Sequence, residues 1–415
     1  MIASYTRNVN MFWNKKHNPY INFFVSIGAG LNQIPLIREA KKHGFHVIGV
    51  DTNPLAPGFM HCDLKIQESI ENHEDIYKKL IETLFDGRIA GVMTKSYGIA
   101  IRSTAFLAER FNVPYMPLSR SEYFINKKLM KDLFLQNNIR TPEIFALPSK
   151  NRIEKIEKKK FPIIKKPVIG HAKVGIHFLK NAADLKKHWP ETQEKEKVLF
   201  EKFINGDEII AAGIVHKRRF HLVDITDKET TELPHFVDIM HMSPSRYYHL
   251  FDEIAGIGQS VADAFNIANS PLIMEFVLDD DGRPCLIEAV PEFGGEFLTD
   301  VVIPARTGYN FIGEAIKANT DTGFKPPLRK KARNAVVVKY ITGTSGTLLS
   351  FNPDGPKKMR NVIFSRIFKE IGAEVNRPET NLDRLGVIIT RDKNPETALA
   401  AAEQASESMQ IRIKK

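Results

Sequence analysis

Apolar positions near the start of the chain switch between two periods. INFFVSI (Ile21–Ile27) is a continuous apolar run of the kind a buried strand carries. Asn32–His43 is amphipathic at helical spacing, and Phe45–Val50 is a second apolar run ending at Asp51. With Gly28-Ala29-Gly30 as the turn and Gly44 just past the helix, this pattern predicts a βαβ start. Helices over Asp75–Leu84 and Ala100–Phe111, with a strand over Arg88–Thr94, complete a small α/β domain over 21–118.

The next stretch, 119–325, reads differently. One helix is expected over Ser119–Asn137. FPIIKKP, residues 161–167, is a short apolar strand ending in lysine, and it feeds a loop with Gly170, His171, Lys173 and Gly175. A strand ending in lysine before a glycine loop presents ammonium and N–H groups to phosphate; an ordinary strand end in a lysine-rich region is the plainer alternative. VLFEKFI leads through Asn205-Gly206 into a hairpin-like run ending near Asp224. Ser243-Pro244-Ser245 is expected to cap a helix from about Arg246 to Phe265.

The most informative stretch is PLIMEFVLDDDGRPCLIEAVPEFGGEF, residues 271–297. Two apolar runs flank Asp281-Gly282, a hairpin signal. A turn centred there pairs Cys285 with Leu278, Ile287 with Phe276 and Glu288 with Glu275. Two carboxylates opposed among apolar neighbours are destabilising unless a cation lies between them. Oxygen ligands that also bridge to phosphates are the usual way Mg²⁺ is held. The expectation is therefore a Mg²⁺–nucleotide site on an antiparallel sheet, against the alternative of a solvated hairpin with two surface glutamates.

Residues 326–415 open on a Pro/Arg/Lys-rich linker, Pro326–Arg333. Strands over Asn334–Tyr340, Gly346–Phe351 and Gly386–Thr390 and an alanine-rich helix over Pro395–Met409 predict a small α+β module. Residues 1–20 lack the apolar core of a signal peptide and read as an extension. The longest apolar runs are too short to span a bilayer, so no membrane partner is expected. Two cysteines cannot build a disulfide framework, which favours a reducing, cytoplasmic setting. The formal charge of +10 suits an acidic partner, but the excess sits in blocks, and no zinc-finger, RNP or basic-zipper pattern points to nucleic acid. A dinucleotide reading of Gly28-x-Gly30 falters at Gln33, which stands where a third glycine belongs.

Taken in order, VSIGAGLNQIPLIREAKKHGFHVIGVDTNPLAPG, NKKLMKDLFLQNNIRTP, FPIIKKP, VLFEKFINGDE, MEF and LIEAVPEFGG resemble the ATP-grasp superfamily of carboxylate–amine ligases. The branch is that of biotin carboxylase, carbamoyl-phosphate synthase and, closest in layout, the L-amino-acid ligases. The resemblance spans about 21–415. It implies an α/β and α+β architecture: a Rossmann-like pre-ATP-grasp domain, a two-subdomain ATP-grasp and a C-terminal α+β module. It implies ATP and Mg²⁺ (or Mn²⁺) as cofactors, small-molecule acid and amine substrates, an acylphosphate intermediate and a homodimer.

By the same resemblance Lys127 and Lys166 are the ATP lysines, with Lys173 in the phosphate loop. Glu201 and the backbone of Lys202 and Phe203 meet adenine, Glu208 meets the ribose, and Glu275 and Glu288 ligate the metal. The chain departs from the usual Glu-x-Asn-Pro-Arg at Val290 and Glu292. Glu292 would repel a carboxylate and could accept an amine. Arg306 is a candidate for substrate contact, and His235 and His241 for the acceptor pocket. The alternatives on the same fold are a carboxylase or formate-activating ligase, and a nucleotide-binding protein without catalysis.

Overall fold

A computed structural model describes residues 21–83, 87–145, 158–189, 197–295, 297–328 and 334–415. The extension 1–20, the basic part of the linker, 329–333, and Glu296 lie outside the described residues.

The first unit is a four-stranded parallel sheet of order β3-β2-β1-β4, built from β1 (Ile21–Ile27), β2 (His46–Asp51), β3 (Leu64–Gln67) and β4 (Gly87–Met93). Strand β3 was not expected from the sequence; only Ile66 in it is buried. The glycine turn after β1 is closed from within. Asp51 accepts the Ala29 N–H at 2.9 Å, and the Gln33 side chain lies where a Cβ on Gly28 would meet it at 3.2 Å. The Gly28 and Ala29 N–H groups are thus engaged inside the domain.

The expected helix over 119–137 is two helices, Ser121–Ile125 and Lys127–Gln136. Asn126 interrupts them in an extended conformation, and its side chain accepts from the N–H groups of Lys128 and Leu129. That is an N-cap, which outcompetes helix continuation. A three-stranded antiparallel sheet of order β6-β5-β7 follows, from β5 (Ile163–Pro167), β6 (His177–Leu179) and β7 (Val198–Lys202).

The largest sheet has eight strands. They are β8 (Glu208–His216), β9 (Arg219–Thr230), β10 (Asp238–Ser243), β11 (Ser270–Leu278), β12 (Pro284–Val290), β13 (Ala335–Ile341), then β15 (Val362–Ile367) and β17 (Gly386–Asp392). Between and after these last come β14 (Gly346–Ser350), β16 (Glu374–Val375) and β18 (Arg412–Lys414), which form a small separate sheet. The eight run in the order β12-β11-β8-β9-β10-β13-β17-β15, so C-terminal strands continue the central sheet. The Pro395–Ser408 helix buries Ala398 and Ala402 against Met240, Ala335 and Val337. The helix Phe311–Thr320 joins the central sheet to the first unit: Asn319 accepts from Val92 N–H at 3.1 Å and donates to Pro114 O at 3.1 Å.

Two local expectations are corrected. The helix expected from Arg246 begins at Phe251. Ser245 lies upstream of the helix and does not cap it: its hydroxyl donates to Asp227 and accepts the Tyr247 N–H at 2.9 Å. The β11–β12 turn is not a two-residue turn. Asp279 and Arg283 close a three-residue loop with Gly282 at φ +74°. This shifts the pairs near the turn by one, to Leu278–Pro284, Val277–Cys285 and Phe276–Leu286. A bulge at Ile287 restores the expected register, and Glu275 pairs with Glu288. No described helix is long and apolar enough to cross a membrane.

Candidate functional site

Glu275 and Glu288 lie directly opposite on β11 and β12, and each is engaged by a lysine. Lys228 Nζ donates to Glu275 Oε2 at 2.7 Å. Lys127 Nζ donates to Glu288 Oε1 and to Gly170 O, both at 2.9 Å. The Asn126 cap starts a helix at Lys127, and that helix start brings Lys127 under the glycine loop. Burial alone would raise the Glu275 pKa; Lys228 and Lys173 outweigh it and hold the carboxyl below its ordinary value. Among the described residues no three His, Cys, Asp or Glu side chains gather closely enough to hold an ion alone. A metal here would take two opposed hard oxygen donors from the protein and the rest from phosphate and water, which suits Mg²⁺ or Mn²⁺. Val290 pairs with Ile273 and packs on the core, so it adds no donor.

Lys228 also reaches Glu208 at 3.0 Å and Asp238 at 3.3 Å. Lys173, in the left-handed region at φ +64°, reaches the same two at 3.7 and 3.8 Å. Burial would lower the Lys173 pKa, but Glu208, Asp238 and Glu275 raise it. The glycine loop is tied down on two sides. Asn381 N–H donates to Ala172 O at 3.1 Å, and Tyr97 of the first unit packs on His171 with ring centroids 4.5 Å apart.

Glu201 on β7 is buried between two lysines: Lys166 Nζ bonds Oε1, and Lys131 Nζ lies 3.4 Å from Oε2. Burial raises the Glu201 pKa, but Lys131 and Lys166 outweigh it, leaving the value lowered. Burial pushes the Lys131 pKa down to about 8, partly offset by Glu201. In the segment whose backbone is expected to meet adenine, Lys202 N–H donates to Glu143 O at 2.8 Å and Phe203 N–H to Pro162 O at 3.1 Å.

Beyond β12, Glu292 is buried and accepts the Gly294 N–H at 2.8 Å. Burial pushes its pKa up to about 7, against the nearby Lys95 ammonium and the backbone donors Gly294 and Phe293; Glu288 adds to the rise. Lys95 is itself buried, 3.7 Å from Asp300. Arg306 is not a surface residue. It is 4% exposed and pairs with the buried Asp224 at 2.8 Å. Its Nε is buried with no hydrogen-bond partner among the described residues. His241 is buried beside the Tyr340 ring, with centroids 5.8 Å apart. His235 is exposed and lines a separate cavity of about 400 Å³ with His177 and His188.

The sequence reading missed Lys228, Lys131, Lys95, Asp224 and Asn381. The one local signal lay on β9, where Asp224, Thr226 and Lys228 share a strand face by their spacing of two.

Residues 159–300 match the family model of the ATP-grasp domain, and 339–414 that of the L-amino acid ligase C-terminal domain 2. Over 107 residues the chain is 34% identical to a D-alanine--D-alanine ligase of Clostridium botulinum (strain Eklund 17B / Type B); the match covers 24% of this chain and 35% of that relative's length. The fold is similar to that of an L-amino acid ligase from Bacillus licheniformis, with TM-score 0.78 and 20% identity over 96% of this chain and 100% of that one. It is also similar to the biotin carboxylase domain of a 2-oxoglutarate carboxylase from Hydrogenobacter thermophilus, solved as a dimer with MgADP, ADP and bicarbonate. There the TM-score is 0.70 and the identity 16%, over 96% and 92% of the two chains.

Proposed function

We propose that this chain, an ATP-grasp protein with an L-amino acid ligase C-terminal domain, joins a carboxylate to an amine through an acylphosphate, releasing ADP and phosphate. The observation that carries this reading is the opposed Glu275–Glu288 pair, each member held by a lysine beneath a glycine loop.

In the first step a carboxylate oxygen of the acid bonds to the γ-phosphorus of ATP, and the bond from phosphorus to the ADP oxygen breaks. In the second, the amine nitrogen bonds to the acyl carbon, inorganic phosphate leaves, and the nitrogen gives up a proton. Lys127, Lys166 and Lys173 neutralise the phosphates. Glu201 with the backbone of Lys202 and Phe203 borders the base. Glu208 would meet the ribose hydroxyls, and Glu275 and Glu288 would hold Mg²⁺ or Mn²⁺. When bound, that metal supplies positive charge to the phosphate oxygens. The protein's own part is alignment and exclusion of water. Glu292 and the Asp224-anchored Arg306 border the acyl and amine groups. A homodimer is the proposed assembly, and sedimentation of the purified chain tests it.

The reading is tested by ADP release from MgATP with pooled carboxylic acids, with and without pooled amines, beside Glu288→Ala. ADP that requires both pools and vanishes in the variant supports it. ADP with bicarbonate or formate alone would replace it with one-carbon activation on the same residues, and ADP from no pool would count against catalysis.

A further inference from the structure

We propose that Lys228 is an internal counter-ion that keeps a free divalent cation off Glu275, so that the metal enters this site only together with nucleotide. The proposal rests on the reading above that Glu275 and Glu288 are the metal carboxylates.

Lys228 stands on β9 directly across from Glu208 on β8, with its side chain 1% exposed. Its ammonium group lies 2.7 Å from Glu275, 3.0 Å from Glu208 and 3.3 Å from Asp238. A buried ammonium is stable only with such company. The same contacts mean that the carboxylate nearest a metal position is already neutralised. Its opposite number, Glu288, is neutralised in the same way by Lys127 at 2.9 Å. A bare Mg²⁺ or Mn²⁺ must therefore approach against two ammonium charges and shed water to gain two carboxylates that each keep a lysine on one oxygen. Mg²⁺ dehydrates reluctantly, so that exchange is unfavourable.

Nucleotide changes the balance. Its phosphates offer Lys127 and Lys173 new anionic partners and bring oxygen ligands of their own to the ion. Lys173 now shares Glu208 and Asp238 with Lys228. When it turns to phosphate, those two carboxylates are left to Lys228, and Glu275 is released. Metal and nucleotide then bind with positive coupling, which linkage makes reciprocal.

The test uses Mn²⁺ and the full chain, following the electron paramagnetic resonance of free aqueous Mn²⁺ with and without ADP. With the Mn²⁺ held by ADP alone subtracted through a protein-free control, wild type is expected to bind Mn²⁺ weakly alone and at least about tenfold more tightly with ADP. Lys228→Met should bind Mn²⁺ alone about tenfold more tightly than wild type, shrinking the coupling. Lys228→Arg keeps the cation and should behave as wild type. Should Lys228→Met not fold, Lys228→Met with Asp238→Asn removes one charge of each sign and carries the same expectation. Equal Mn²⁺ affinity with and without ADP in wild type would overturn the proposal. So would variants lacking the lysine that bind Mn²⁺ alone no better than wild type. Failure of Mn²⁺ to bind even with ADP in any protein would overturn the metal assignment beneath it; absence of ligase turnover with Mn²⁺ coupling intact would overturn the reaction and leave the counter-ion standing.

Discussion

Asn381 and Asp238 are joined by two hydrogen bonds: Asp238 N–H donates to Asn381 Oδ1 at 2.9 Å, and Asn381 Nδ2 donates to Asp238 Oδ2 at 2.6 Å. The Asn381 N–H meanwhile holds the carbonyl of Ala172. One C-terminal residue therefore fixes the glycine loop to the acidic cluster on the central sheet. Asn381→Ala keeps the backbone bond and loses the side-chain pair. It should lower stability by about 1–2 kcal/mol and raise the KM for ATP about tenfold, with kcat less affected, as steady-state ADP release would measure.

Glu288→Gln removes a charge that Lys127 answers and a metal would use. Turnover is expected to fall at least about a hundredfold, while the melting temperature without nucleotide changes little, since Lys127 retains the Gly170 carbonyl. A loss of turnover matched by a large loss of stability would point instead to a structural role for this pair.

Glu292 gives a pH prediction. Its carboxyl is raised from the ordinary 4.5 to about 7 by burial. The folded state therefore holds the proton more tightly than the unfolded chain, and this contribution is full below pH 4.5 and lost as pH rises through 7. The change amounts to about 3 kcal/mol. Glu292→Gln cannot ionise, so its melting temperature should gain on wild type from pH 5 to about pH 7 and level off by pH 8 in a thermal-shift series. A constant difference across that range would show that Glu292 titrates normally.

Glu201 is the shared counter-ion of Lys131 and Lys166. Glu201→Gln leaves two buried ammonium groups without it and should cost about 3–5 kcal/mol in urea unfolding. Lys131→Met in the same background should restore part of that loss, the two changes being non-additive.

The opposed glutamates were legible because period-two alternation and a central Asp-Gly define a face. Two one-residue departures cancel on the way to that result. The turn takes three residues because Asp279 accepts from the N–H groups of Asp281 and Arg283. The compensating bulge lies where the outer edge of β12 is bound by another segment: Leu286 N–H donates to Arg140 O, and Thr141 Oγ1 donates to Leu286 O, each at 2.8 Å. Neither event leaves a trace in local hydropathy. Lys131 and Lys228 were obscured for a different reason. A lysine within an amphipathic helix or polar strand end reads as solvated, and tertiary partners on other strands, Leu286 O for Lys131 and Glu275, Glu208 and Asp238 for Lys228, make these two internal. Lys95 depends on a still less visible device, the Gln33 side chain accepting its N–H at 2.9 Å across the first sheet.

The continuous eight-stranded sheet has a bearing on how the chain can be cut. Strand β10 bonds β9 on one side and β13 on the other. A fragment stopped at residue 325 would uncover a β10 edge carrying Met240 and Met242, stripped of their apolar neighbours Ala335, Val337, Ala398 and Ala402. Exposed edges of that kind recruit other chains. The ATP-grasp half is thus expected to self-associate when cut free: its sheet edge is covered by sequence that begins after the helix Phe311–Thr320.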